Sequence, residues 1–205
     1  MKQPETLFTS AREQHPLPFK LDGSFSWLRK FPSHKEHIGV LMQKKLQSQF
    51  NKIESVSLQS GIPLPPDFVS FITDIDLQAK IRSISDCYLD LAANFLPLRD
   101  GHLLRFLSDS QGCAFWYLFL RPLELNGQAV VICYTYFDAD DDDSEDISKL
   151  HPRKFVFDSP SFESWLCRYW LENEIVYAYH DNTEPPDVGK KCIRLFTIDA
   201  YINEA

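Results

Sequence analysis

Apolar residues recur at helical spacing in three stretches of the chain, about 36–58, 65–76 and 160–173. In the first stretch they recur every fourth residue, which places them on one face of a helix. The pattern stops before Gly61 and Pro63, two residues that disfavour a continuing helix. The spacing therefore predicts three amphipathic helices.

Prolines and short polar residues predict where the second and third helices begin. Pro65 or Pro66 suits the first turn of the second helix, because a proline there gives up no intrahelical hydrogen bond. Asp67 follows, and its negative charge is favourable at the positive end of a helix. For the third helix, the sequence predicts Ser159 as the N-cap and Pro160 as the first helical residue.

Between the second and third helices, β-prone segments alternate with turn signals. Gly112 closes the first turn, and Asn126-Gly127 is the dipeptide most typical of a tight hairpin. The pattern predicts an antiparallel meander over about 102–137, joined by a further short strand at 154–157. The three strands of the meander are expected at 102–107, 113–120 and 129–137.

The middle strand of this meander is apolar on both faces. A strand with one face in water would alternate between apolar and polar residues. We therefore expect helices to cover one face and the terminal segments to cover the other, with a homodimer contact as the alternative cover. The two faces carry Cys113, Phe115, Tyr117 and Phe119, and Ala114, Trp116, Leu118 and Leu120.

These elements predict an α+β fold, an antiparallel-rich sheet packed with helices. Residues 1–24 read as a polar, proline-rich arm, and 25–205 as a single domain that contains an acidic loop at 138–149. No apolar stretch has the length of a signal-peptide core or a membrane helix, so we expect a cytoplasmic protein with no membrane partner.

The cysteine pattern favours free thiols over metal or redox chemistry. Five cysteines are widely spaced, and none forms a CxxC pair. Most lie among apolar residues, which is typical of buried thiols in a reducing compartment. Cys113 beside Gly112 is a candidate nucleophile, but its place at the head of an apolar strand predicts burial and an inert thiol.

The negative charge of the chain is concentrated in the acidic loop. The formal net charge is −8, and removing the seven acids of that loop leaves −1. With no basic stripe elsewhere, nucleic-acid binding has no electrostatic basis. The seven acids are Asp138, Asp140, Asp141, Asp142, Asp143, Glu145 and Asp146.

Three interpretations of the acidic loop stay open at this point. Aspartates stand at positions 1, 3 and 5 of a calcium-type loop, but Asp143 replaces its glycine and Lys149 replaces its bidentate glutamate. A solvated, mobile loop is the second interpretation, because like charges repel. The third is an acidic surface that a basic partner recognises.

Other motifs for chemistry are missing from the sequence. There is no HExxH, GxSxG, GxGxxG or phosphate-binding GxxxxGK[ST] motif. His34 and His37 are three residues apart, but no third metal ligand lies near them. We therefore expect no catalytic residue, no metal and no cofactor.

Over about 36–172 the chain has a Leu-Pro-x-Asp-aromatic helix start, a glycine turn before an aromatic strand, and a late helix that opens with Ser-Phe. This order of elements resembles the SUKH superfamily. An Asn-Gly pair common after the second helix in that family is replaced by "ITDIDLQAKI". The matching residues are Leu64, Pro65, Asp67, Phe68, Phe106, Asp109, Gly112, Trp116, Tyr117, Ser161, Phe162 and Leu166.

The resemblance implies a non-enzymatic protein-interaction domain, either a toxin-immunity protein or a regulatory scaffold. It implies another protein as the partner, such as a basic toxin domain, and it carries over no catalytic residue. The acidic loop is then the candidate binding surface. The alternative is an enzyme or small-ligand binder with a pocket beside the aromatic sheet, lined by Trp116, Tyr134 and Tyr136.

Overall fold

The computed structural model describes residues 7–8, 14–121, 127–141, 143–189, 192–193 and 196. In these residues the chain forms five α-helices and a six-stranded antiparallel sheet, which confirms the predicted α+β class. The helices are α1 (Ser26–Arg29), α2 (Gln43–Ser60), α3 (Pro66–Thr73), α4 (Ile75–Gln78) and α5 (Phe162–His180). The strands are β1 (Tyr88–Leu89), β2 (Leu96–Leu98), β3 (Gly101–Ser108), β4 (Phe115–Leu120), β5 (Gln128–Cys133) and β6 (Val156–Ser159).

The sheet has the order β1-β3-β4-β5-β6, and β2 also pairs with β3. The predicted meander is β3, β4 and β5, although β5 ends at Cys133 and β6 begins at Val156. The hairpin predicted at Asn126-Gly127 lies partly outside the described residues, since 122–126 are not described. The strands β1 and β2 were not predicted, because two and three residues are too few to show a period.

Helix α2 begins later than its apolar spacing predicts, at Gln43 instead of residue 36. The backbone at Ile38 is engaged elsewhere: its N–H donates to the Ile81 carbonyl, and its carbonyl accepts from Leu89 N–H. These tertiary bonds hold the backbone outside a helix. From Gln43 onward the buried residues follow helical spacing, at Leu46, Phe50, Ile53 and Ser57.

The predicted second helix is divided at Asp74. This residue has an extended backbone, and its carboxylate accepts hydrogen bonds from the N–H groups of Asp76 and Leu77. Asp74 therefore ends α3 and caps α4.

The third helix starts two residues later than predicted and runs to His180. Ser159 cannot be its N-cap, because Ser159 belongs to β6 and pairs with Val130. The N-cap is Ser161, which forms a capping box with Ser164.

Both faces of the middle strand are covered, as its apolar pattern predicts. Leu118 and Leu120 face a large core formed with the helices. Phe115, Tyr117 and Phe119 face a second, smaller core. Phe8, Leu98, Phe137 and Phe155 belong to that second core, so the cover comes from the N-terminal region, β2 and the segment before β6. The rationale for a dimer contact on this face is therefore removed.

The later part of the N-terminal arm packs on the helical side of the domain. Leu17, Phe19 and Leu21 lie against the large core, and the Phe19 ring stacks on Trp27 at 5.2 Å. Trp27 in turn donates its indole N–H to buried Glu163 of α5 at 3.0 Å. Residues 17–21 therefore pack as part of the domain, although the sequence predicts a polar, proline-rich arm over 1–24.

Several residues that carry the resemblance to the SUKH superfamily lie together at the start of α5. The Asp67 carboxylate accepts from Glu163 N–H at 2.9 Å and so caps α5 from another helix. The Phe162 ring lies edge-on to Phe68 and Phe106, at 5.2 and 5.5 Å between centroids. These residues have an architectural role, because they join α3, β3 and α5 in one core.

The prediction that Cys113 is buried is wrong. Strand β4 begins only at Phe115, and Cys113 lies exposed in the turn that Gly112 forms with a φ of 71°. Cys87, Cys133 and Cys167 are buried, and burial raises the pKa of each of these thiols. Among the described residues, no helix combines the length and apolar character needed to cross a membrane.

Candidate functional site: an acidic cleft over Arg105

A cleft of about 720 Å³ opens where one edge of the sheet is interrupted. Strands β1 and β2 lie one after the other along β3, and the regular pairing stops between them, where the N–H groups of Asp90 and Ala92 still donate to the Phe106 and Arg105 carbonyls. Opposite this gap, β3 carries a bulge between Arg105 and Leu107. The cleft is lined by residues 90–93, Gln49, Arg105, Tyr136, Asp138, Asp140, Asp141 and Asp143.

Arg105 is buried, with only 5% of its side chain exposed, in a strand that is otherwise mostly apolar. Its guanidinium donates to the Asp90 carboxylate at 2.9 Å and to the Asp138 carboxylate at 2.7 Å. The ring of Tyr136 lies 4.6 Å from the guanidinium carbon. A buried cation needs such partners, because losing its hydration without compensation costs several kcal/mol.

The surroundings of Arg105 set its ionisation. Burial alone lowers the pKa of a guanidinium, but the negative charges of Asp90 and Asp138 raise the pKa of Arg105 above its usual value. Arg105 is therefore charged throughout the physiological range. Two carboxylates share this one cation, which leaves a net negative charge before the exposed acids are counted.

Asp90 is fixed from a second side. Ser108 donates its hydroxyl to the same Asp90 oxygen that Arg105 contacts, at 2.7 Å. Both Ser108 and Arg105 belong to β3, so one strand orients this carboxylate. The cleft therefore has a rigid base made of an ion pair and a neutral hydrogen bond.

The acidic loop follows a defined course over Arg105. Asp138 accepts from Asp140 N–H at 2.9 Å, and Asp141 accepts from Asp143 N–H at 3.0 Å, which makes two consecutive Asx turns. Ser144 closes the loop by donating its hydroxyl to the Asp138 carbonyl at 2.8 Å. The described residues thus hold a folded turn in place of the extended, self-repelling run that charge clustering predicts.

Tyr117 of β4 holds the start of the acidic loop through two hydrogen bonds to the Phe137 backbone. Its hydroxyl donates to the Phe137 carbonyl and accepts from the Phe137 N–H, both at 3.1 Å. Burial raises the pKa of Tyr117, so its hydroxyl stays protonated and keeps both bonds. Asp138 is the next residue, and its position over Arg105 follows from this attachment.

The seven predicted binding acids are divided between several places. Asp138, Asp140, Asp141 and Asp143 line the cleft. Glu145 pairs with Lys149 at 2.5 Å, Asp146 caps a short 3₁₀-helix at Ile147–Lys149, and Asp142 lies outside the described residues.

Besides Asp138, which pairs with Arg105, two of the cleft acids have partners within the chain. Asp140 accepts from Asn94 at 2.5 Å and lies 3.7 Å from the ammonium of Lys52. Asp141 accepts from the Tyr136 hydroxyl at 2.8 Å. The hydrogen bond from the Asp143 backbone N–H is the largest cause that lowers the pKa of Asp141, and the bond from the Tyr136 hydroxyl lowers this pKa further. Burial and the adjacent carboxylates raise the pKa of Tyr136, so the pair is a neutral phenol and a charged carboxylate.

Sequence reasoning missed Arg105, Asp90 and Gln49. One signal was available for Arg105: a single cation inside the segment "HLLRFL" requires a buried partner. Asp90, which lies between Leu89 and Leu91, gives the same kind of signal, whereas Gln49 stands in an ordinary polar context. Only the fold brings them to the cleft.

The three aromatic residues predicted to line a pocket do not come together. Trp116 packs against the helical core and donates its indole N–H to Asp158 at 3.3 Å. Tyr136 packs against the second core, on the opposite face of the sheet. Tyr134 is 67% exposed. A pocket formed by all three residues is therefore incompatible with the fold.

The described residues contain no group of three or more His, Cys, Asp or Glu side chains arranged to hold a metal ion. The cleft acids bond instead to the backbone, to Arg105 and to Tyr136. Comparisons of the chain with protein-family models, curated proteins and solved structures give no match. The geometry and charge of the cleft therefore carry the functional conclusion.

Proposed function

We propose that this protein is a non-enzymatic interaction domain that binds a basic protein partner through the acidic cleft. The observation that carries the proposal is the cleft itself. Five aspartates line it, and two of them, Asp90 and Asp138, already share the charge of the buried Arg105. A lysine or arginine side chain of a partner would restore the charge balance.

Preorganisation of the acids supports this proposal. Asx turns and the Tyr136–Asp141 bond hold the carboxylates in place before a partner arrives, which reduces the conformational entropy lost on binding. The field of a negative cleft also steers a basic partner toward it and raises the association rate.

The family resemblance points to the same class of function. A SUKH-like domain would act as a toxin-immunity protein or as a regulatory scaffold, and in both roles it binds another protein. Most of the residues that carry the resemblance are buried, whereas most of the acids lie on the surface. The partner of this chain would thus depend on the acidic loop more than on the core.

A small-ligand function has less support. The cleft has the size of many ligand pockets, but such pockets are lined predominantly by apolar side chains. Here the lining is dominated by carboxylates.

The test begins with a partner selected from a displayed library of small protein domains, with the purified chain as bait. The affinity of that partner is then measured against salt for the wild type and for Asp140→Asn/Asp141→Asn/Asp143→Asn. A matched control, Asp86→Asn/Glu184→Gln/Asp187→Asn, removes the same charge at exposed positions outside the cleft.

We expect the cleft variant to weaken binding by about 10- to 100-fold, from the roughly 1–3 kcal/mol of charge-assisted hydrogen bonds. Its salt dependence should become shallower, and the control should stay within about threefold of wild type. Equal losses of affinity in the two variants would show that binding depends on the net charge of the protein and not on the cleft. An unchanged affinity of the cleft variant would refute the proposal.

A further inference from the structure

The chain segment 34–39 lies along the outer edge of the sheet. Ile38 N–H donates to the Ile81 carbonyl at 2.9 Å, and the Ile38 carbonyl accepts from Leu89 N–H at 2.7 Å. Leu89 belongs to β1, whose other side pairs with β3. The segment therefore occupies the free edge of β1, where an unpaired strand would otherwise meet solvent.

A histidine fixes the turn of this segment. The Nδ1 atom of His37 accepts a hydrogen bond from Gly39 N–H at 3.2 Å. Gly39 is buried, and a Cβ atom there would lie 2.6 Å from the side-chain oxygen of Gln78, so the backbone is closely packed. A ring nitrogen accepts only when it carries no proton. The turn therefore requires a neutral His37 with its proton on Nε2.

Near the neighbouring His34, two positive charges oppose protonation and the carboxylate of Glu174 favours it. The Nε2 atom of His34 lies 3.5 Å from Glu174, but both oxygens of that carboxylate already accept from Arg82 at 2.8 Å. Arg82 and Lys80 both face His34 with positive charge. The other titratable groups that face this cluster are Glu36, Asp86, Tyr177 and Asp181.

We propose that His37, assisted by His34, is a proton-sensitive latch for segment 34–39. A proton taken from solvent onto His37 Nδ1 replaces the accepting lone pair with a second N–H. The bond to Gly39 is lost, and the segment is released from the edge of β1. This device is independent of the acidic cleft and of what the cleft binds.

The titration of the two imidazoles agrees with this geometry. Burial lowers the pKa of His37, and the charge of His34 lowers it further. Burial is the largest cause that lowers the pKa of His34; Glu174 raises this pKa, and Arg82 and Lys80 lower it. The latch is thus closed at neutral pH and opens as the pH falls below 6.5, the ordinary value for histidine.

Amide hydrogen exchange measured by NMR tests the latch. We compare the protection factors of Ile38, Gly39 and Leu89 at pH 7.5 and 5.5, corrected for intrinsic exchange, with those of β4 amides. In the wild type, the protection factors of these three amides should be about fivefold lower at pH 5.5 than at pH 7.5, relative to those of the β4 amides. A change of this size is the effect of losing roughly one hydrogen bond.

The decisive variant is His37→Asn. An asparagine Oδ1 accepts from the N–H two residues on and does not titrate, so protection should persist at both pH values. His151→Asn is the matched control, because His151 Nδ1 accepts from Arg153 N–H at 3.1 Å in the same way, far from the latch in sequence. That control should keep the wild-type response at Gly39.

Protection that falls equally in His37→Asn and in the wild type would overturn the latch, as would wild-type protection that is the same at both pH values. A second measurement does not depend on any variant. The ¹⁵N spectrum of the wild-type imidazoles at pH 7.5 should show His37 with an unprotonated Nδ1, and a proton on Nδ1 would equally refute the proposal.

Discussion

Replacing Arg105 with methionine should destabilise the fold strongly. The change keeps most of the apolar stem and removes the guanidinium that contacts Asp90 at 2.9 Å and Asp138 at 2.7 Å. Both carboxylates then stay in a partly buried place with no counter-ion. Breaking a buried pair in this way costs about 3–5 kcal/mol. For a chain of this size, that loss lowers the melting temperature by roughly 10 °C.

Two further variants separate charge from packing. In Arg105→Met/Asp90→Asn/Asp138→Asn, uncharged amides also replace the two carboxylates. Replacing every member of a buried ion pair in this way often leaves the stability nearly unchanged. We expect this triple variant to return to within about 1.5 kcal/mol of wild type. Arg99→Met is the matched control, because Arg99 is 79% exposed and should change stability by less than about 0.5 kcal/mol.

Urea unfolding followed by tryptophan fluorescence measures all four proteins. The midpoint should fall for Arg105→Met with an unchanged slope, since the surface exposed on unfolding stays the same. A loss below about 1 kcal/mol for Arg105→Met would refute the assigned role of the ion pair. Equal losses in the single and triple variants would show that the unpaired carboxylate charges are not the cause of the loss.

Three other outcomes follow from single contacts. Tyr117→Phe removes both bonds to Phe137 and should lower the free energy of unfolding by about 1–3 kcal/mol in the same urea assay, whereas no change would mean the loop is held elsewhere. Cys113 is exposed and should react with a thiol reagent in the native state, and Cys113→Ser should remove that fast phase. Burial lowers the pKa of His102, so the unfolded chain binds more protons than the folded one as the pH falls below 6.5. The urea midpoint of the wild type should therefore be lower at pH 5.5 than at pH 7.5, and this difference between the two midpoints should be smaller in His102→Gln.

The apolar pattern was enough to predict the meander and the two-sided cover of its middle strand. The reason is local: a run with no polar residue on either face of β4 can be stable only inside a protein. The same pattern misplaced the start of α2, because the residues near Ile38 are apolar at helical spacing but bond to the sheet edge. Periodicity reports which residues are buried, and it does not report which hydrogen bonds the backbone makes.

The buried state of Cys113 was predicted wrongly for a related reason. Its neighbours in sequence are apolar, but the strand begins only at Phe115, after the turn made by Gly112. A residue at the end of an apolar run takes its exposure from the turn geometry. That geometry depends on the pairing of β3 with β4.

The sequence alone determined the α+β class, the charge of the acidic loop and the lack of familiar catalytic motifs, because composition and spacing fix these properties locally. Only the tertiary structure decided that four of the acids line a cleft over Arg105, since Asp90, Arg105 and Asp138 are far apart in the chain. It also decided that His37 faces the Gly39 amide at the edge of the sheet. Burial changes the energy of a charge by far more than its sequence neighbours do, and burial is a property of the whole fold.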